Sequence, residues 1–215
     1  MPGFRRTLPN ALTLARVALA VALFAILARY RFSPAHPAPG PAHVDAALLL
    51  AIGLFVLAAI TDALDGHLAR RWNTVSVFGR IIDPFADKLL VIGAFVMLAG
   101  PGFSDGVRPV SGVYPWMAVV VLARELLITS IRGVLEGQGV DFSATLSGKL
   151  KMILQSVSIP MAMLLVALMP VAGDRASLVP IVNFWVMVVT VAVTAASGAP
   201  YVRRALLWAA AKDQP

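Results

Sequence analysis

The chain has 215 residues, of which 59% are hydrophobic and 13% charged, with a formal net charge of +7. A soluble domain carries about 25% charged residues, so this composition excludes a soluble fold and indicates an integral membrane protein. The absence of cysteine also excludes disulfides and thiolate metal sites.

Six apolar runs are long enough to cross a hydrocarbon core about 30 Å thick. They lie near residues 9–30, 46–68, 80–100, 114–135, 147–169 and 177–197. The first is interrupted by Arg16 and is longer than the apolar stretch of a signal peptide, so it reads as a retained span. Asn10 can cap this helix, and Thr13 can bond back to its own backbone. A proline-rich loop over 31–45 follows, and a glycine-rich polar loop occupies 100–112. A tight turn is expected around Ala172 to Arg175. Residues 69–79 and 136–146 form the two inner connections. Pro160 can kink the fifth span, and Pro200 marks the end or a bend of the sixth. The tail from Tyr201 to Lys212 reads as an amphipathic segment, with Tyr201 and Trp208 as interfacial anchors. The whole chain, 1–215, reads as one transmembrane domain.

With the amino terminus in the cytosol, only Arg29, Arg31, Arg108 and Arg175 of the 18 Lys and Arg fall outside. Basic residues favour the inner side, so both termini are expected on the cytosolic face of the cell (inner) membrane.

Four acids break the apolar pattern: Asp62, Asp65, Asp83 and Asp87. A carboxylate at membrane depth costs about 2.5–3.5 kcal/mol on insertion scales. Helical spacing puts Asp62, Asp65, Gly66 and Ala69 on one stripe, and Gly79, Asp83 and Asp87 on another. The second and third spans are antiparallel, so the two stripes meet near the cytosolic side. Clustered carboxylates need a counter-charge, and oxygen-only ligands favour hard divalent cations. Taken singly, each acid could be a solvated or capping residue, as Asp83 before Pro84 could cap a helix.

The string Asp62-x2-Asp65-Gly66-x2-Ala69-Arg70-x8-Gly79-x3-Asp83-x3-Asp87 resembles the signature of the CDP-alcohol phosphotransferase family at every fixed position. That resemblance implies six transmembrane helices around a polar cavity open to the cytosol. It implies two divalent cations, Mg²⁺ or Mn²⁺, held by Asp62, Asp65, Asp83 and Asp87. Asp87 would also be the general base. Gly66, Ala69, Arg70 and Gly79 would hold the CDP-lipid, with Asn10, Thr13 and Ser76 beside it. A homodimer is also implied.

Further blocks resemble the phosphatidylglycerophosphate synthase branch of that family: PNALTLARV, ARELLITSIRG and SGKLKMILQ. The branch usually has threonine where this chain has Met152, while Gln155 is kept. That likeness implies transfer from CDP-diacylglycerol to sn-glycerol 3-phosphate. Arg124, Arg132, Lys149 and Lys151 all fall on the inner side and suit an acceptor that carries a phosphate. Adjacent helical residues diverge, so no direct Arg124–Glu125 contact is expected. His36, His43 and His67 are read as bystanders. The same chemistry with another acceptor, as in a cardiolipin synthase or phosphatidylinositol phosphate synthase, is the nearest rival reading. A divalent-cation transporter is the rival from another class.

Overall fold

A computed structural model describes the backbone of residues 2–33, 44–72, 77–138 and 146–212. It describes the side chains of residues 11–33, 44–62, 82, 85–138 and 147–212. Seven α-helices lie within these segments: α1 (Pro2–Arg29), α2 (Ala46–Trp72), α3 (Val77–Leu98), α4 (Pro115–Gly137), α5 (Leu146–Leu168), α6 (Val179–Ala196) and α7 (Ala199–Lys212). No strand occurs among the described residues; one isolated antiparallel bridge joins Ser104 to Pro109.

Local chemistry sets several helix ends. The Asp45 carboxylate accepts the backbone N–H groups of Ala47 at 3.0 Å and Leu48 at 3.3 Å, which caps the start of α2. The Arg31 guanidinium donates to the carbonyls of Ala28 and Tyr30 and closes α1. Pro115 and Pro180 sit in the first turns of α4 and α6, where a missing N–H costs nothing. Pro160 lies inside α5, and the helix continues through it.

Some boundaries differ from those read in the sequence. α1 begins at Pro2, so Asn10 lies within the helix and does not cap it. Likewise α3 begins at Val77, so Asp83 is interior and the capping alternative for it fails. α2 runs on to Trp72, leaving an inner connection shorter than 69–79. The turn near residue 172 is a pair of 3-10 segments, Met169–Val171 and Gly173–Leu178. Pro200 does mark the break between α6 and α7.

The helices pack in a closed circuit of neighbours, in the order α1, α2, α5, α6, α4, α3 and back to α1. Among the described residues, α2 and α3, adjacent in sequence, make few contacts with each other; α1 packs against both. Gly93 allows the close approach of α1 to α3, because a Cβ there would lie 2.1 Å from Phe24 Cζ. Leu23, Phe55, Phe95, Met117 and Met163 fill the shared interior. Leu50, Val119, Ile153 and Trp185 point outward and are exposed. A helix with apolar groups on its outer surface is at home in lipid, where close packing and polar contacts hold helices together.

Polar ties cross this interior. Gln155 on α5 donates to Thr194 Oγ1 on α6 at 3.1 Å. Asn183 Nδ2 donates to the carbonyls of Val110 at 3.0 Å and Ala162 at 3.4 Å, joining α6, α5 and the segment before α4. That segment is less open than its polar composition suggests, since Phe103, Val110, Ser111 and Val113 are fully buried. Three described stretches are long and apolar enough to cross a membrane: Ala11–Arg29, Ser147–Val171 and Gly173–Lys212; Ala46–Asp62 is a shorter apolar helix.

α7 packs on α4, and Tyr201 is buried beside Ile128 and Leu135. Tyr201, expected as an interfacial anchor, packs against α4. Trp208 is partly buried, with the Lys212 ammonium 5.0 Å from its ring.

Candidate active site

Five helices of the circuit each send a charged side chain to one polar region. The Asp87 carboxylate on α3 lies within electrostatic reach of Asp62 on α2, Arg16 on α1, Glu125 on α4 and Lys151 on α5. Asp62 and Asp87 interact electrostatically, and α1 packs against both of their helices.

Arg16 has no exposed surface, and its Nη1 lies 2.6 Å from Asp62 Oδ1. The interruption of the first apolar run is thus an internal counter-charge. Thr13, one turn earlier on α1, is also buried.

At the other end of the region, Glu125 is buried and collects two cations on one oxygen. Arg124 Nη1 donates to Glu125 Oε1 at 3.0 Å, and Lys151 Nζ donates to the same oxygen at 2.5 Å. The expectation that Arg124 and Glu125 do not touch is therefore wrong. Their Cβ atoms diverge, but the arginine stem is long enough to fold back. Ser197 Oγ accepts from Arg124 Nη2 at 3.0 Å and fixes that bend. Both side chains are about nine-tenths buried, where an unpaired charge is costly.

Lys88, next to Asp87 in sequence, donates to Thr129 Oγ1. Thr129 Oγ1 in turn donates to the Glu125 carbonyl at 2.6 Å. Lys88 feels the charges of Glu125, Asp87, Lys151 and Arg132. Lys88, Lys151, Arg124 and Arg132 share this part of the region with the acids Glu125 and Asp87, so cations outnumber anions there.

The sequence-predicted residues divide accordingly. Asp62 and Asp87 are brought together, as are Arg124 and Lys151. Arg132 lies near Lys88 and pairs with Glu136 at 3.4 Å, while Lys149 is exposed. Asp65, Gly66, Ala69, Arg70, Gly79 and Asp83 occupy α2 and α3, but their side chains are outside the described residues, as is that of Asn10. Ser76 lies outside them altogether. Three participants were missed as site residues. Arg16 was visible as a charge within an apolar run, Glu125 as the acid beside Arg124, and Lys88 as the neighbour of Asp87.

Divalent cations such as Mg²⁺ take hard oxygen donors, and two carboxylates are part of such a set; among the described residues no group of three or more His, Asp or Glu gathers. Asp62 and Asp87 supply such donors, and the side chain of Asp62 is 39% exposed, so it is open to a ligand.

Comparison with known proteins assigns the chain to a family. The profile of the CDP-alcohol phosphatidyltransferase family matches residues 6–196, and the chain belongs to that family. It is 36% identical over 152 residues to the CDP-diacylglycerol–glycerol-3-phosphate 3-phosphatidyltransferase of Bacillus subtilis (strain 168), covering 71% of this chain and 74% of that protein. It is 32% identical over 199 residues to a probable phosphatidylglycerophosphate synthase of Mycobacterium tuberculosis, covering 93% and 81%. A Rickettsia bellii protein named as the first enzyme is 35% identical over 157 residues, covering 73% and 75%. The chain is accordingly a phosphatidyltransferase of phospholipid biosynthesis.

Proposed function

We propose that the protein transfers the phosphatidyl group of CDP-diacylglycerol to sn-glycerol 3-phosphate, giving phosphatidylglycerophosphate and CMP. The observation that carries this reading is the meeting of Asp62 and Asp87 with the cations Lys151 and Arg124 in one region. Carboxylates suited to a phosphoryl centre lie within electrostatic reach of a lysine suited to a phosphorylated acceptor. The names of the relatives support the same substrates.

Asp62, Asp65, Asp83 and Asp87 would hold two divalent cations, Mg²⁺ or Mn²⁺, which when bound neutralise the diphosphate and its departing charge. Arg70, Gly66, Ala69 and Gly79 would hold the CDP moiety, with Asn10, Thr13 and Ser76 near the nucleotide. Arg124, Arg132, Lys149 and Lys151 would bind the acceptor phosphate, the first and last from the Glu125 cluster. Asp87 takes the proton from the primary hydroxyl of the acceptor. The oxygen so formed attacks the lipid-side phosphorus, the bond from that phosphorus to the CMP oxygen breaks, and CMP leaves. Catalysis of this kind is mostly positioning and electrostatics.

The reading includes one transmembrane domain over 1–215, six spans, both termini and the site on the cytosolic side of the cell membrane, and a homodimer. The positive-inside distribution of charge supports the orientation. The acyl chains would stay in the bilayer while the headgroup reaches the acids.

The test is CMP release by purified protein in detergent with CDP-diacylglycerol and Mg²⁺ or Mn²⁺. Release that requires sn-glycerol 3-phosphate and falls by about 10²–10⁴-fold in Asp87→Asn is expected for loss of a general base. Release with phosphatidylglycerol or inositol phosphate in its place would retain the chemistry and reassign the acceptor. A folded protein that releases no CMP with any acceptor would overturn the enzyme reading.

A further inference from the structure

We infer that Glu125 is a positioning residue for the acceptor end of the site. Its Oε1 fixes the Lys151 ammonium and the Arg124 guanidinium as a ready-made pair for a phosphate. The inference rests on the reading that the acceptor carries one.

Glu125 is 6% exposed, and one of its oxygens receives both cations, at 2.5 Å and 3.0 Å. The two cations come from different helices, α5 and α4, and would repel each other without it. A single carboxylate neutralises one of the two charges and leaves the pair net positive. It also leaves donors to spare, because an ammonium has three N–H groups and a guanidinium five. Each gives one to Glu125, and Arg124 gives another to Ser197. The Thr129 hydroxyl ties the Glu125 backbone to Lys88, so a third cation is registered to the same turn of α4.

Long basic side chains lose much rotamer freedom when they bind an anion. Holding them in place beforehand lowers that cost at the moment of binding. Glu125 acts through Lys151 and Arg124, so its removal should weaken acceptor binding in particular.

The experiment is steady-state kinetics of CMP release by full-length protein in detergent, with Glu125→Gln, Lys151→Met and the double variant, each checked by thermal unfolding. Glu125→Gln should raise KM for sn-glycerol 3-phosphate about tenfold, with kcat and KM for CDP-diacylglycerol within about threefold. In the double variant, Glu125→Gln should raise KM by a smaller factor than it does alone, since part of the carboxylate's effect runs through that lysine and the rest through Arg124. Glu125→Asp, which keeps the charge on a shorter stem, should restore part of the affinity.

Equal damage to both substrates, or additive effects in the double variant, would overturn the inference and leave Glu125 with a folding role. Failure of both Glu125 variants to fold would overturn it as well. If Lys151→Met raises the acceptor KM and Glu125→Gln does not, only this inference fails. If Lys151→Met leaves the acceptor KM unchanged, the assignment of Lys151 to an acceptor phosphate fails first, and the role of Glu125 with it.

Discussion

The Arg16 guanidinium, fully buried on α1, lies 2.6 Å from the Asp62 carboxylate on α2. Removing one member of an ion pair whose other member is partly exposed costs about 1–3 kcal/mol. Arg16→Met should therefore lower stability by about that amount. Asp62→Ala should cost more, about 3–5 kcal/mol, because it removes an ion-pair partner from a fully buried cation. Thermal unfolding in detergent of the two single variants would check the order, and equal losses would refute it.

Removal of divalent cations should stop catalysis and leave the fold in place. Asp62 and Asp87 are like charges in one region, with Arg16 and Lys151 as partial counter-charges from the chain itself. A chelator should abolish CMP release, and added Mg²⁺ or Mn²⁺ should restore it. Asp62→Asn should move the half-activating metal concentration upward by about tenfold, the scale of one lost ligand-shell interaction. Activity indifferent to chelation would contradict the metal reading.

Gly112 and Gly106 should respond very differently to alanine. Both have positive φ, +69° and +93°. At Gly112 a Cβ would lie 2.3 Å from the Asn183 carbonyl carbon and the Phe184 nitrogen, which are backbone atoms of α6 and cannot step aside. At Gly106 nothing lies within 4 Å. Gly106→Ala should cost about 1 kcal/mol of backbone strain, and Gly112→Ala at least about 3 kcal/mol from strain plus overpacking. Unfolding midpoints measured side by side would expose any equality.

The Asp105 carboxyl is held below the usual carboxylate range. The main cause is the backbone N–H of Arg108, at 2.8 Å; that of Val107, also at 2.8 Å, and the Arg108 side chain assist. Its contribution to the turn is fully present above the ordinary aspartate value of about 3.9. It is lost as pH falls through the lower value in the folded protein. Exchange of the Val107 and Arg108 amide protons should therefore speed up on acidification below about pH 4, after correction for the intrinsic rate. Asp105→Asn should flatten that acid limb, and an unchanged pH profile in the variant would count against the bonds as its source.

Much of the fold was legible in the sequence because membrane helices announce themselves locally. Runs of apolar residues and their bounding prolines and loops gave the order of α1 to α7, with errors of a few residues at the ends. The largest error, the start of α1, arose because Pro2–Asn10 is too polar for a hydropathy reading and yet is helical. Of the four acids that spacing singled out, Asp62 and Asp87 lie within electrostatic reach of each other, and the side chains of Asp65 and Asp83 are outside the described residues. The cation cluster was only half legible. Arg124 and Lys151 were recognised as basic residues on the inner side, but the acid that joins them was set aside. The rule used there concerns Cβ directions, and it does not limit a long side chain folded against Ser197.

The sequence by itself determined the class of protein, because composition, periodicity and a motif of eight fixed residues are properties of the chain alone. Only the tertiary structure decided who neighbours whom. α1 lies between α2 and α3, so Arg16 reaches Asp62; α4, α5 and the end of α6 converge, so Glu125, Lys151, Arg124 and Ser197 join. The reason is physical: helical periodicity acts over three or four residues. Pairing of helices is set by packing between segments far apart in sequence, as Arg124 and Ser197, 73 residues apart, are.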